Sequence, residues 1–342
     1  MSDLDADGNV LDISDLTTEI DTAAGTIRPV ASVALAVRRG ATLCLVGESG
    51  SGKSMLALSV MRVLPAGAHI TAGSISLEGT DLTDLSEREM RAIRGRDIAI
   101  VPQDPMTAFD PLLTVGSQVA ESIRTHLHLK KEQARARMLE ALDQVHLPNP
   151  RRVASSLPSE LSGGMNQRAL IAMALATEPR VLLADEPTTA LDVTVQAQVL
   201  ELLAEVQRDR GLAIVLITHD MGVAAAVADE VAVMYAGRIV EHGPMRSIFH
   251  EPRHPYTVGL ITAARESYLP GTAFRSIPGA PPNLLALPDG CAFASRCSFA
   301  RAACSDGPPA LRRIGDLEAA CILEDHERPW LTATRLQDGV SA

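Results

Sequence analysis

Residues Gly47–Ser54 read GESGSGKS and match the pattern G-x-x-x-x-G-K-S in full. Glycines at these positions let the backbone aim successive N–H groups at phosphate oxygens, and a helix beginning at the loop adds its N-terminal dipole. The residues predicted to bind phosphate are Gly47, Glu48, Ser49, Gly50, Ser51, Gly52, Lys53 and Ser54. Lys53 is expected to reach the β- and γ-phosphates, and the Ser54 hydroxyl to hold Mg²⁺. The alternative is a chance Gly/Ser turn.

The segments around this loop predict its structural setting. A short apolar strand, TLCLV at Thr42–Val46, comes before it, and a buried helix over Ser54–Leu64 follows. Three more apolar strands are predicted at Ile98–Pro102, Val181–Ala184 and Ala213–Ile217. Apolar strands that alternate with helices are typical of a mostly parallel sheet covered on both faces. The expected fold class is therefore α/β.

An acidic pair follows one of these strands. The stretch LLADEP at Leu182–Pro187 places Asp185 and Glu186 at the carboxyl end of a buried strand, where ligands bind in open α/β sheets. Asp185 is expected to bind Mg²⁺, directly or through water. Glu186 is expected to act on an attacking water as its base or orienter. A solvated acidic turn is the plain alternative.

A second glycine-rich signal lies between the two motifs. Apolar residues at helical spacing predict a largely helical stretch from about Val115 to Leu147. Beyond it lies LSGGMNQR at Leu161–Arg168, and a helix is predicted to begin just after its Gly164 and to run through Arg168–Ala176. Backbone N–H groups at Ser162, Gly163 and Gly164 would then face an anion at the start of that helix.

In this order, GESGSGKS, LSGGMNQR and LLADEP resemble the motifs of ATP-binding-cassette ATPases. The family pattern is also met by Gln103 in IVPQDP, by the loop Ala190–Asp192, and by His219 in ITHD. The resemblance implies a P-loop ATPase with a RecA-like core, a small antiparallel β subdomain and a helical signature subdomain at about residues 104–170. The cassette is expected to span residues 1–250.

The resemblance also implies how the residues share two ATP sites in a dimer of cassettes. Ser162, Gly163 and Gly164 would bind the γ-phosphate of the ATP held by the opposite subunit, and Asp192 would lie in the loop crossing the interface. His219 would contact the γ-phosphate of the chain's own ATP. Gln103 would reach Mg²⁺ and the attacking water. The residue expected to cover adenine, an aromatic in the family, aligns with Ile20.

Composition limits the class of protein further. The formal net charge is −11, which argues against gripping nucleic acid as the main task. No apolar stretch approaches the roughly 20 residues of a transmembrane helix. The N-terminal stretch MSDLDADGNV is acidic and has no apolar segment, so a secretory signal is not expected. A cytoplasmic protein is predicted, with any membrane role supplied by a partner chain.

Four of the five cysteines lie near the C-terminus, in a segment rich in Pro and Gly that we predict to have little regular structure. Their spacing is C-x5-C-x6-C-x16-C, through Cys291, Cys297, Cys304 and Cys321. Four thiolates can hold a tetrahedral Zn²⁺ or an iron–sulfur cluster, and structural zinc usually shows closer C-x2–4-C pairs. Free thiols are the third alternative. The extension is expected to span residues 251–342.

Three stretches of this extension resemble the tail of oligopeptide, dipeptide and nickel importer ATPases: HPYTVGLI at His254–Ile261, IPGAPPNL at Ile277–Leu284 and GCAFASRCSFARAAC at Gly290–Cys304. The resemblance implies a [4Fe–4S] cluster on the four cysteines, with Zn²⁺ as the alternative. It implies a second cassette subunit, two permease subunits, an extracytoplasmic solute-binding protein, and a peripheral place on the cytoplasmic face of the plasma membrane. The alternative is a cassette ATPase that acts on nucleic acid or ribosomes without a membrane partner.

Overall fold

A computed structural model describes residues 8–189, 191–267 and 277–331. Outside these ranges lie residues 1–7 of the N-terminal stretch, Ala190 of the predicted interface loop, and residues 268–276 and 332–342 of the predicted extension. The strands within them are β1 (Asn9–Thr22), β2 (Gly25–Arg38), β3 (Thr42–Val46), β4 (Ala68–Leu77), β5 (Thr80–Asp81), β6 (Ile98–Val101), β7 (Val181–Asp185), β8 (Ala213–Thr218), β9 (Glu230–Tyr235), β10 (Arg238–Pro244), β11 (Arg312–Ile314) and β12 (Leu317–Ala319). The helices are α1 (Lys53–Met61), α2 (Glu87–Ile93), α3 (Pro105–Ala108), α4 (Val115–Leu127), α5 (Lys131–Gln144), α6 (Pro150–Ser155), α7 (Gly163–Leu175), α8 (Val193–Arg210), α9 (Met221–Val227), α10 (Met245–His250) and α11 (Pro255–Ser267).

The larger sheet has the strand order β11-β12-β10-β9-β3-β8-β7-β6. Its strands β9, β3, β8, β7 and β6 are parallel, and four of them, β3, β6, β7 and β8, are the apolar strands predicted from the sequence. Alternate residues of β3 enter two different hydrophobic clusters: Cys44 and Val46 join one, Leu43 and Leu45 the other. Because successive side chains of a strand point to opposite faces, the sheet is buried on both.

The smaller sheet is antiparallel in the order β2-β1-β4-β5. Its apolar residues, among them Leu11, Leu16 and Ile75, pack in one hydrophobic cluster with Leu56 and Val60 of α1. This arrangement places the small sheet against the helix that follows the phosphate loop. It corresponds to the small antiparallel β subdomain expected from the family resemblance.

Two helix ends differ from the predicted ones. Helix α1 ends at Met61, three residues earlier than predicted, because Arg62 takes a left-handed conformation with φ 50°. The long helical stretch is two helices, α4 and α5, because His128 takes φ 53° and ends α4. The apolar stripe itself is buried, with Val115, Val119 and Ile123 fully inside. Left-handed turns at non-glycine residues leave little trace in a hydrophobic pattern.

The C-terminal part contains more regular structure than predicted. Helix α11 buries Tyr256 and Ile261, and β12 pairs antiparallel with β10 of the main sheet. Strand β11 then pairs with β12. Strands of three residues are too short to show an alternating pattern, which explains why the sequence did not reveal them. The boundary predicted between residues 250 and 251 stays a prediction.

Candidate active site

The phosphate loop joins β3 to α1 in a conformation that requires glycine. Gly52 has φ 111°, and a Cβ atom there would lie 1.9 Å from the Pro29 carbonyl oxygen. A Cβ at Gly47 would lie 2.3 Å from the Met234 carbonyl oxygen. No side chain fits at such distances. The backbone of the neighbouring strands therefore contacts the loop closely at the end of the sheet. This loop contains the residues predicted to bind phosphate.

Lys53 lies across this turn and is buried. Its Nζ donates hydrogen bonds to the carbonyl oxygens of Gly47 at 2.8 Å and Glu48 at 2.9 Å. Burial lowers the pKa of Lys53, and the nearby carboxylates of Glu186, Asp185 and Glu48 oppose that shift. The ammonium group is thus held beside the backbone of the loop that is predicted to bind phosphate.

Asp185 and Ser54 meet at the edge of the loop. Asp185 is 8% exposed. Burial raises the pKa of Asp185, and the nearby Ser54 hydroxyl partly opposes this shift. Within the described residues, Asp185 Oδ1 is buried without a hydrogen-bond partner. A hydroxyl and a buried carboxylate with an unused oxygen are ligands that suit Mg²⁺.

Three side chains converge on Glu186, whose carboxyl side chain is 14% exposed. Gln103 Nε2 donates to Glu186 Oε2 at 3.2 Å, and Thr189 Oγ1 donates to the same oxygen at 2.8 Å. His219 Nδ1 lies 3.2 Å from Glu186 Oε1. The structure therefore brings Gln103, Glu186 and His219 together as the sequence suggested. Thr189 was missed, although its place three residues after Glu186 is a usable signal.

These contacts decide the charge of Glu186. Burial alone would raise the pKa of this carboxyl, but the hydrogen bonds from Thr189 and His219 and the charge of Lys53 outweigh it, so the pKa is lowered. Glu186 is therefore ionised at neutral pH. A fixed carboxylate beside a phosphate-binding loop can orient a water molecule and accept its proton.

The other predicted phosphate-binding residues lie at two helix starts. Ser162 caps α7, and its Oγ accepts a hydrogen bond from Met165 N at 3.3 Å. Asp192 caps α8 by accepting from Val195 N at 3.0 Å. Gly164 packs on Val195, where a Cβ would lie 2.7 Å from Cγ1, whereas Gly163 has open space around it. Within the described ranges, no hydrogen bond or ion pair joins Ser162, Gly163 or Gly164 to the phosphate loop.

The four C-terminal cysteines line one small cavity. All four are free thiols, and Cys291 N donates to the Cys304 carbonyl oxygen at 2.8 Å. Burial raises the pKa of Cys291, Cys297 and Cys321, and their mutual proximity adds to the shift. Among the described residues, no group of three or more His, Cys, Asp or Glu side chains is arranged to hold a metal ion.

Two further residues that contact the loop were not singled out from the sequence. Arg296, in the cysteine-containing segment, forms an ion pair with Glu48, and the Tyr256 hydroxyl accepts from Glu48 N. Ile20, aligned with the adenine-stacking position, is half-buried in β1 and pairs with Ile27 of β2 and Ala68 of β4. Its role towards adenine stays a prediction.

The fold and this site together define a P-loop ATPase of the ATP-binding-cassette type. The family profile described as "ABC transporter" matches residues 30–189, and the one described as "Oligopeptide/dipeptide transporter, C-terminal region" matches residues 240–304. The dipeptide transport ATP-binding protein DppD of Bacillus subtilis is 47% identical over 318 residues, covering 92% of this chain and 95% of that protein. The oligopeptide transport ATP-binding protein OppD of Bacillus subtilis is 44% identical over 309 residues, covering 90% and 86%.

Solved structures agree with the fold. The ATP-binding cassette MJ0796, in a dimeric post-hydrolysis state bound to ADP and Pi, matches with a TM-score of 0.63 at 28% identity, covering 69% of this chain and 99% of that one. CbiO1 from Clostridium perfringens, part of the ABC transporter complex cbiONQ, matches with a TM-score of 0.61 at 27% identity, covering 71% and 92%. The chain belongs to the ATP-binding-cassette family, in the group of oligopeptide and dipeptide transporter ATP-binding proteins. In the part of the chain that is described, no helix is both long and apolar enough to cross a membrane.

Proposed function

We propose that this chain is the ATP-hydrolysing subunit of an importer for peptides or a related solute. It acts at the cytoplasmic face of the plasma membrane together with two permease subunits, a second cassette subunit and an extracytoplasmic solute-binding protein. Support comes from relatives that are named as dipeptide and oligopeptide transport ATP-binding proteins and that match almost the whole chain.

Each ATP site is composed of parts from two cassettes. Gly47–Ser54 binds the chain's own ATP, whereas Ser162, Gly163 and Gly164 bind the γ-phosphate of the ATP held by the partner, with Asp192 at the interface. Support comes from the start of α7, where Ser162 is the cap residue and the helix dipole favours an anion. The dimeric state of the related cassette MJ0796 is consistent with this arrangement.

Within the chain's own site, Glu186 is the residue that acts on water. The water oxygen bonds to the γ-phosphorus, the bond from that phosphorus to the bridging oxygen of ADP breaks, and the water proton passes to Glu186. Gln103 and His219 hold the carboxylate in place and lie beside the reacting phosphate. Ser54, Asp185 and Gln103 would hold Mg²⁺, which neutralises phosphate charge when it is bound. The observation that carries this assignment is the convergence of Gln103, Thr189 and His219 on Glu186.

The assignment is tested by Glu186→Gln in the purified transporter. The variant keeps the side-chain shape but cannot accept the proton, so ATP turnover should fall by about 100-fold or more while ATP binding persists. Glu178→Gln is the matched control, because Glu178 is an exposed residue that pairs with Arg137 just before β7. Unchanged turnover in Glu186→Gln would show that another group acts as the base.

We propose that the four cysteines would hold a [4Fe–4S] cluster, with a single Zn²⁺ as the alternative, although no three of their thiols are arranged around a metal position in the described residues. Support comes from the soft donor set, since four thiols line one cavity, and from the lack of closely spaced cysteine pairs. Such a group would cross-link the parts of the segment that carry the four cysteines. Protein purified without oxygen should then be brown and contain iron and acid-labile sulfide.

The matched variants for the cysteine site are Cys297→Ser and Cys44→Ala. Cys44 lies in the core of β3, far along the chain from the four others, so Cys44→Ala should keep the colour and iron content that Cys297→Ser loses. A colourless protein with one zinc per chain would support the zinc alternative instead.

A further inference from the structure

Glu48 of the phosphate loop is held on three sides. Its backbone N–H donates to the Tyr256 hydroxyl at 2.8 Å. Its carbonyl oxygen accepts from Lys53 Nζ at 2.9 Å and from Ser51 N at 3.2 Å. Its carboxylate accepts two bonds from Arg296, at 2.6 Å and 2.9 Å. Two of the three groups are therefore held by residues of the C-terminal extension.

Arg296 is built into this contact. Its side chain is 3% exposed, and all five N–H groups of its guanidinium have acceptors. Besides Glu48, the acceptors are the carbonyl oxygens of Pro278 and Ile277 and, at 3.4 Å, the Tyr235 hydroxyl. A planar guanidinium that is saturated in this way has one orientation, so the position of Glu48 follows from the packing of the extension.

An aromatic cluster fixes both extension residues. Arg296 lies over the rings of Tyr235 and Phe293, with centroid distances of 5.9 Å and 5.8 Å. The Tyr256 ring, which is fully buried, packs on the same two rings at 4.6 Å and 5.3 Å. Tyr235 belongs to β9 of the cassette sheet, so the cluster joins the extension to the cassette directly behind the loop.

The charge of Glu48 gives this contact a function. A carboxylate in a loop that receives the phosphates of ATP would repel them if it were unpaired, because like charges at short range are costly. The guanidinium of Arg296 cancels that charge. We propose that Arg296 and Tyr256 are positioning residues for ATP, through which the C-terminal extension shapes the phosphate loop and neutralises Glu48. ATP affinity should then depend on residues that lie 208 and 248 positions from Glu48 in the sequence.

The test is titration of the full-length chain with a fluorescent ATP analogue, together with kcat and KM of ATP hydrolysis in the assembled transporter. Arg296→Ala leaves the Glu48 charge uncompensated, so the Kd for the analogue should rise about tenfold or more. KM should rise more than kcat falls, because Arg296 does not touch the water or Glu186. Adding Glu48→Gln to Arg296→Ala removes the stranded charge and should restore part of the affinity.

The matched control is Arg301→Ala. Arg301 also lies in the extension and also forms an ion pair with a glutamate, Glu327, and its hydrogen bonds within the described ranges go to Glu327 and the Ile322 carbonyl oxygen rather than to the loop. The Arg301→Ala variant should bind the ATP analogue with the same Kd as the wild type. The proposal is overturned if Arg296→Ala binds as tightly as Arg301→Ala, or if the double variant binds no better than Arg296→Ala alone.

Two milder variants carry the test if Arg296→Ala does not fold. Arg296→Lys keeps a positive charge without the two-pronged contact, and should weaken binding less than tenfold. Tyr256→Phe removes only the acceptor of Glu48 N–H and should weaken binding a few-fold. Wild-type Kd values for both variants would refute the positioning role.

Discussion

At the scale of single residues, the site depends on how neighbours set the charge of one carboxyl. Burial raises the pKa of Glu186, whereas the hydrogen bonds from Thr189 and His219 and the charge of Lys53 lower it. The lowering effects together are larger, so the net pKa is lowered. The bond from Thr189 at 2.8 Å is the shortest of the contacts on this carboxyl. Thr189, which was not singled out from the sequence, therefore helps to keep Glu186 ionised.

Replacing Thr189 with Val should raise the pKa of Glu186, because the hydroxyl donor that favours the ionised form is lost. Hydrolysis requires the carboxylate, so kcat falls as the pH drops through that pKa. In Thr189→Val this acidic limb should move to higher pH, as measured by ATPase rates across the acidic range. Thr189→Ser keeps the hydroxyl and should retain the wild-type profile. If the acidic limbs of Thr189→Val and the wild type coincide, the hydrogen bond from Thr189 does not lower the pKa of Glu186.

At the scale of elements, the phosphate loop depends on how closely strands approach it. A Cβ atom at Gly52 would overlap the Pro29 carbonyl of β2, whereas one at Gly50 meets nothing within 4 Å. Both glycines have positive φ, 111° and 79°. An alanine at either position would strain the backbone, but only an alanine at Gly52 would also clash with a neighbouring strand. Comparing the two variants therefore separates the two effects.

Gly52→Ala should therefore abolish nucleotide binding, because the loop must move away from Pro29 and lose its shape. Gly50→Ala should cost only the backbone strain of a left-handed residue, about 1–2 kcal/mol of unfolding free energy. Calorimetric titration with ATP and chemical denaturation of both variants provide the measurements. Equal ATP affinities in the two variants would contradict the close contact at Gly52.

At the scale of the whole molecule, a buried carboxyl joins the cassette to the extension. Glu241 of β10 is fully buried and accepts hydrogen bonds from the backbone N–H groups of Arg253 and His254, where α11 begins. Burial raises its pKa from about 4.5 to about 7, although Thr257 and these N–H groups oppose the shift. The junction therefore responds to pH.

The sign of this response follows from proton linkage. Between about pH 4.5 and about pH 7 the folded chain keeps the Glu241 proton that the unfolded chain has lost, so this contribution to stability declines as the pH rises. Glu241→Gln cannot titrate, so its Tm relative to wild type should increase across this window and level off above it. His254, shared by both proteins, cancels in the difference. A difference in Tm that stays constant with pH would refute the raised pKa.

The parallel sheet and the class of ATPase follow from local patterns in the sequence. The apolar runs of β3, β7 and β8 predict the parallel sheet, and the order of GESGSGKS, LSGGMNQR and LLADEP predicts the class of ATPase. These features depend on residues that are close together in the sequence, so they can be predicted from the sequence alone. The family resemblance also named Gln103 and His219 beside the motif residue Glu186, and the structure brings the three side chains together.

Other features exist only after the chain has packed. The left-handed turns at Arg62 and His128 set where helices end, and the short strand β12 is defined only by its pairing with β10 and β11. Arg296 meets Glu48 across 248 positions of sequence, through a guanidinium whose acceptors come from several segments. A contact between such distant positions is selected by burial, charge pairing and aromatic packing in three dimensions. No local pattern records it, and so the link between the extension and the ATP site became visible only in the folded molecule.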